Sequence, residues 1–154
     1  MEKSAILSPC RLYRYELWRR WSAEPTVVFI GLNPSTADES ADDPTLRKCI
    51  AFAQRWGYGA VCMANLFAFR ATQPKDMMAA ADPVGPENDA HLRRLVSVGT
   101  MFIAAWGTGG VFQNRANAVR QFLPKLRALK INQDGSPGHP LYLRGDSTPF
   151  LFDS

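Results

Sequence analysis

The run TVVFIG at 26–31, continued by LNPSTAD at 32–38, decides how the rest of the chain reads. Thr26, Val27, Val28, Phe29 and Ile30 are β-branched or aromatic with no polar alternation, as in a parallel strand buried on both faces. Gly31 ends the run, and a glycine there lets a ligand approach the backbone closely. Pro34 stiffens the following turn and fixes where Asn33 points. An Asx-type strand-to-loop turn accounts for the same residues without any function.

Working outward, Asp43 and Pro44 form a helix start: the carboxylate accepts backbone N–H groups and proline occupies the first helical position. The spacing of Leu46, Ile50 and Phe52/Ala53 carries that helix to about Trp56, with Gly57 ending it. AVCMANL at 60–66 reads as a second buried strand, and Pro86 opens a helix through about Val96 that Gly99 stops. TMFIAAW at 100–106 is a third strand. A helix or helix pair is expected over 111–128, broken by Pro124, then a short fourth strand near 128–131. Upstream, RLYRYELWRRW at 11–21 alternates polar and apolar, with Tyr13, Tyr15 and Leu17 on one side, as a half-buried strand at a sheet edge. Arg11, Arg14, Arg19 and Arg20 would guard that edge. The alternation of strands and helices predicts one α/β domain over 1–154: a three-layer sandwich with a mostly parallel central sheet plus an N-terminal edge strand.

A chain of 154 residues, 46% hydrophobic and 21% charged, is an ordinary globular domain. Cys10, Cys49 and Cys62 form no CxxC pair, which argues against a disulfide framework, a zinc ribbon or an iron–sulfur cluster. Cys62, in an apolar run, reads as a buried thiol of a reducing compartment. No apolar run is long enough for a membrane span, and the N-terminus lacks a signal-peptide core, so a soluble, cytoplasmic protein is expected. A net charge of +4 permits a polyanionic partner without demanding one.

Ligands of such sheets sit beyond the carboxyl ends of the strands. Three polar segments fall there: GLNPSTAD at 31–38, NLFAFRATQP at 65–74 and GSPGHPLYLRG at 135–145. His139 sits in a loop rigidified by Gly135, Pro137, Gly138 and Pro140. The second histidine, His91, lies beside Asp89 and Arg93 on a helix face expected to be solvated. WGTGG at 106–110 places Trp106 beside the same crevice, whereas Trp18, Trp21 and Trp56 read as core.

These segments resemble the loops of the uracil-DNA glycosylase superfamily, in order, from residue 27 to about 145. GLNP at 31–34 resembles the first motif of its mismatch-specific branch, in which an Asn positions the attacking water; this implies such a role for Asn33, with Gly31, Pro34 and Ser35 around the substrate. Asn65 and Arg70 of NLFAFR match an Asn that reads the base edge and a basic residue after it. HPLYL at 139–143 resembles the last motif, which implies that His139 contacts a base carbonyl, that Pro140 shapes the loop and that Tyr142 or Leu143 wedges into a duplex. Leu141 stands where that motif usually has Ser, and Leu32 where the iron–sulfur branch has a catalytic Glu. The LNPSTAD and GHPLYL motifs also resemble those of an uncharacterised bacterial family.

The resemblance implies a DNA glycosylase-like hydrolase that flips out a modified or damaged base and cleaves its N-glycosidic bond, as in DNA repair, with no cofactor and no metal. A neutral His or an amide donor aimed at a base oxygen would stabilise the departing anion. Asp38, amid Glu39, Asp42 and Asp43, is a candidate general base; helix capping and a loose divalent-metal site are the other readings of that acidic cluster. Arg70, Lys75 and Arg144 are candidates for phosphate contacts. The partner is nucleic acid, DNA first, or a nucleoside or nucleotide; a membrane partner is not expected and a monomer is the default. Two rivals stand beside this reading: an N-glycosidase of free nucleosides, nucleotides or RNA, and a non-catalytic nucleobase or nucleic-acid sensor.

Overall fold

A computed structural model describes residues 1–123 and 125–152. One sheet of seven strands runs β1(Glu2–Leu7), β2(Arg14–Arg20), β4(Ala60–Asn65), β3(Thr26–Gly31), β5(Met101–Ala104), β6(Arg127–Ala128), β7(Phe150–Leu151) in spatial order. The four strands from β4 to β6 are mutually parallel. The other pairings, β1 with β2, β2 with β4 and β6 with β7, are antiparallel. The sheet is therefore mixed, not mostly parallel: the parallel centre is what continuous apolar runs can announce. The polar β1 and the two-residue β7 carry no such run. Among the described residues no helix is long and apolar enough to cross a membrane.

α1(Pro44–Arg55) forms as its ends dictate. Asp43 Oδ1 accepts from Leu46 N at 2.8 Å, and Gly57 takes the left-handed φ of +84° that closes the helix. Leu46, Cys49, Ile50, Phe52 and Ala53 pack from α1 onto Val27, Phe29, Val61 and Met63 of the sheet. The opposite face, with Val28, Ile30, Cys62 and Ala64, is covered by Leu92 and Leu95 of α3(Asn88–Val98), Met77 of α2(Pro74–Met78) and Val119 of α4(Arg115–Arg120). Helices thus lie on both faces. The helix or helix pair expected over 111–128 is a 3-10 segment followed by one short α-helix. A 3-10 segment, Gly107–Asn114, precedes α4, and Gln113 and Asn114 at φ 53° and 54° break the coil between them. Pro124, expected to make that break, lies outside the described residues.

The N-terminal strand departs most from expectation. β2 is interior, between β1 and β4, and β1 forms the edge. Its polar positions are buried rather than solvated: Arg14, Glu16 and Arg19 are each at most 4% exposed. Register explains how they are shared between two faces. Ile6 pairs with Glu16 but Leu7 with Arg14, so Tyr15 is an extra residue with no partner opposite. This bulge flips the alternation. Glu16 and Tyr15 turn to α3, while Arg14 joins Leu17 and Arg19 towards α1 and the 32–43 loop; Tyr15 and Leu17 do not share a side.

Each buried charge has its own partners. Arg19 donates to Trp18 O, Asp38 O, Ala41 O and Asp42 Oδ1, clamping the acidic loop to the sheet. Glu16 accepts from Trp18 Nε1 at 2.7 Å and Arg94 Nε at 3.1 Å, pairs with Arg94 Nη2, and meets His91 Nδ1 at 2.5 Å. His91 also stacks on Tyr15, at 4.8 Å between centroids, and so is packed, not solvated. Burial pushes the Glu16 carboxyl up, but the bonds from Arg94, Trp18 and His91 outweigh it and hold the group below its ordinary value of 4.5. A depressed carboxylate supports the fold above its unfolded pKa and stops doing so as pH falls through the folded one. Glu16→Gln leaves at least one donor unmatched. It is expected to lower stability at pH 7 by about 1.5–3 kcal/mol in urea melts, and to flatten the loss of stability expected of the wild type below about pH 4.5.

Candidate functional site

The chain leaves β3 to form β4 on one side of it, then crosses to form β5 on the other. Loops leaving β3 and β5 therefore diverge and open a crevice at the carboxyl end of the sheet, where such folds bind ligands. A cavity of about 380 Å³ occupies that place, within the usual size of small-molecule sites. Gly31, Asn65 and Trp106 reach it from the ends of β3, β4 and β5, and His139, Pro140 and Tyr142 close over it from the late loop. Asn33 and Ser35, also singled out in the sequence, line it too. Leu17, Leu46 and Met63 supply apolar wall.

Main-chain bonds hold the loops in place: Leu66 N to Gly31 O, Phe67 N to Leu32 O, Ala71 N to Pro34 O and Gly107 N to Pro137 O, all at 2.9 Å. Asn33 Nδ2 donates to Ala71 O at 2.8 Å and Pro34 O at 3.1 Å. This anchors the side chain and leaves Oδ1 as its acceptor. Gly31 is required by close approach, since a Cβ there would lie 2.8 Å from Asn65 Oδ1. The Asn65 side chain is thus pressed against the strand end, and its Nδ2 is buried without an acceptor among the described residues. Leaving such a donor unmatched costs about 1–3 kcal/mol, a deficit that a ligand acceptor would remove.

His139 precedes the short 3-10 turn Pro140–Tyr142, and its Nδ1 accepts from Leu141 N at 3.2 Å. That bond requires Nδ1 to be unprotonated, so the neutral ring carries its hydrogen on Nε2, a donor without a partner among the described residues. Burial lowers the imidazole pKa below 6.5, and the nearby Asp43 carboxylate only partly opposes this. Tyr142 packs beside the ring at 5.5 Å and is 83% exposed on the rim. A second cavity of about 460 Å³ shares Leu32, Pro74, Trp106, His139 and Tyr142 with the first and adds Lys130 and Asn132.

Other candidates fall elsewhere. Pro34 is buried behind the cavity lining, bonding through its carbonyl. Asp38 does not line the cavity: its Oδ1 accepts from Ser40 N and Ala41 N, and those bonds hold its pKa below the ordinary value. Asp42 pairs with Arg19 at 2.9 Å and Lys3 at 3.6 Å. The carboxylate that does line the cavity is Asp43. Arg70 donates to Arg11 O at 3.3 Å outside the lining. Arg144 is 86% exposed and pairs with Asp146, and Leu143 packs under Gly138, in the wall of the second cavity. Among the described residues no group of three or more His, Cys, Asp or Glu could hold a metal ion.

Arg14, Asp43, Thr45 and Thr72 line the cavity without having been anticipated there. Arg14 is 4% exposed; desolvation pulls its pKa down to about 10, against the pull of Asp43, so it stays charged at neutral pH. No local signal distinguishes it from the other arginines of 11–20, because its direction depends on the bulge at Tyr15.

The His139 geometry has a direct readout. Proton NMR should give His139 a midpoint below 6.5, and the Leu141 amide resonance should move with the same midpoint as its acceptor is lost. Because the folded pKa is the lower one, protonation favours the unfolded chain, so stability should fall as pH drops below 6.5.

No curated protein and no solved structure matches the chain. A family described as "Protein of unknown function (DUF1643)" matches residues 14–141, from the buried Arg14 through the loop of His139, and so takes in the four central strands and nearly all of the cavity lining. The chain belongs to this DUF1643 family.

Proposed function

We propose that this protein is an N-glycosidase that removes a modified or damaged base from nucleic acid, in the manner of the uracil-DNA glycosylase superfamily that its loops resemble. One observation carries the reading: the unmatched Asn65 amide, the Nε2–H of a neutral His139 and the anchored Asn33 line a single cavity.

Cleavage breaks the bond from C1′ to the base nitrogen and leaves the electron pair on the base. Charge then grows on the base oxygens, where preorganised donors in a water-poor site act most strongly. His139 Nε2–H supplies one donor, and Asn65, an amide with donor and acceptor, reads the base edge. Asn33 Oδ1 accepts a hydrogen from the attacking water and aims its oxygen at C1′, but an amide takes no proton. Asp43 takes that proton, in place of Asp38, the candidate base in the sequence. Tyr142, exposed on the rim, fills the stack when the base leaves it, a role for which Leu143 is too deeply packed.

The test is release of base from a panel of modified-base duplexes, single strands and nucleosides. His139→Ala and Asn65→Ala are each expected to lower kcat by roughly 100- to 1,000-fold while ground-state affinity changes little. The wild-type rate should still be level at pH 6.5 and fall only as pH drops through the lowered His139 midpoint, since a proton on Nδ1 expels the Leu141 N–H that seats the ring. Tight binding of one ligand with no base released across the panel would replace this reading with that of a sensor.

Polymer binding has its own signature. Oligonucleotide affinity should fall with rising salt by roughly 0.7–0.9 log units per phosphate contacted, and Arg70→Ala or Arg144→Ala should flatten that slope. Salt-independent base release would transfer the activity to a free nucleoside or nucleotide.

A further inference from the structure

Arg14 lines the cavity, and the chemistry above gives its charge no task. A guanidinium is planar, and its Nε–H and one Nη2–H run parallel along one edge, spaced to meet two oxygens of a carboxylate or phosphate. Here Nη1 donates to Ala37 O at 3.0 Å, which uses the other side of the group. Nε is buried with no acceptor, and Nη2 makes no hydrogen bond among the described residues. A free two-donor edge thus belongs to a side chain that is 4% exposed and lines the cavity. A buried cation without a bonded counter-ion is costly to keep, and a bound anion is the direct way to offset it.

The surroundings suit an anion as well. Asp43 shares the cavity, but its Oδ1 is occupied by Leu46 N and it forms no ion pair with Arg14 among the described residues. Thr45 and Leu46, in the first turn of the 12-residue helix α1, face the same space, so the positive end of that helix adds to the field. The hydroxyls of Ser35, Thr45 and Thr72 line the cavity with no partner among the described residues, and each can donate.

We infer that the Nε–Nη2 edge of Arg14 is an oxoanion receptor inside the cavity, and that the molecule taken there brings a phosphate or carboxylate group of its own. Joined to the N-glycosidase reading, on which this extension rests, it narrows the substrate to a nucleotide whose phosphate enters the cavity, or to a base bearing an acid group. The backbone phosphates of a duplex stay outside so covered a receptor; a mononucleotide or the phosphate at a strand end can reach it.

Calorimetric titration of the full chain tests this with paired probes: nucleosides against their 5′-monophosphates, and a pyrimidine base against its carboxylated form. The acid-bearing member of one pair is expected to bind roughly tenfold tighter or more, with inorganic phosphate competing in the first pair and benzoate in the second. Arg14→Gln should abolish the preference, and Arg14→Lys should keep only part of it, because a lysine retains the charge but not the fork. Equal affinities within both pairs in the wild type overturn the receptor, a result that stands even if Arg14→Gln does not fold. A preference that survives Arg14→Gln overturns it too. Base release followed on the same probes separates the two readings. Release from neutral nucleosides as fast as from monophosphates leaves the N-glycosidase and removes the receptor; oxoanion binding lost in Arg14→Gln, with no base released by the wild type, does the reverse.

Discussion

A strand that carries Arg14, Glu16 and Arg19 into the interior of a sheet imposes a condition on everything around it: each charge must be met, because water is excluded there. The extra residue at Tyr15 sends these charges to both faces. On one, Arg19 gathers Asp38 O, Ala41 O and the Asp42 carboxylate, which fixes the loop between β3 and α1. On the other, Glu16 binds His91 and Arg94 and so sets where α3 lies. Arg14 alone is met only in part. The cavity opens where that accounting stays incomplete.

What lines the cavity follows from the same constraint. The loops around it are held largely by main-chain hydrogen bonds, which leaves the Asn65 amide nitrogen and the Nε–Nη2 edge of Arg14 without a partner among the described residues. Asn33 is the exception, spending its donor on Ala71 O and keeping its acceptor. Unmatched donors at Asn65 and Arg14 are therefore gathered in one cavity.

Asp38 and Asp43 show why a cluster of like residues resists reading by sequence. Both carboxylates are short, polar and close in the chain, and both suit turns and caps. Asp38 faces its own loop and takes two backbone N–H groups. Asp43, five residues on, caps a helix whose first turn faces the cavity, so one carboxylate serves both helix and site. His91 and His139 diverge in the same way: one is packed against a buried carboxylate, the other is seated by Leu141 N over the cavity.

By itself the sequence determined the parallel centre of the sheet, helix α1 and the meeting of Asn33, Asn65 and His139 at one end. Those features rest on local physics: continuous apolar runs demand burial on both faces, Asp-Pro starts a helix, and loops after parallel strands share an edge. Only the tertiary structure decided that β2 lies inside the sheet, that β1 forms its edge, and that Arg14 and Asp43 join the cavity while Asp38, Arg70 and Arg144 do not. An alternating polar strand looks the same whether its charges meet water or buried partners, and partners such as Ala37, Asp42 and Arg94 lie 23 to 78 residues away. One unpaired residue, Tyr15, then selects the face each charge takes, and pairing register is a property of two strands together, not of either one.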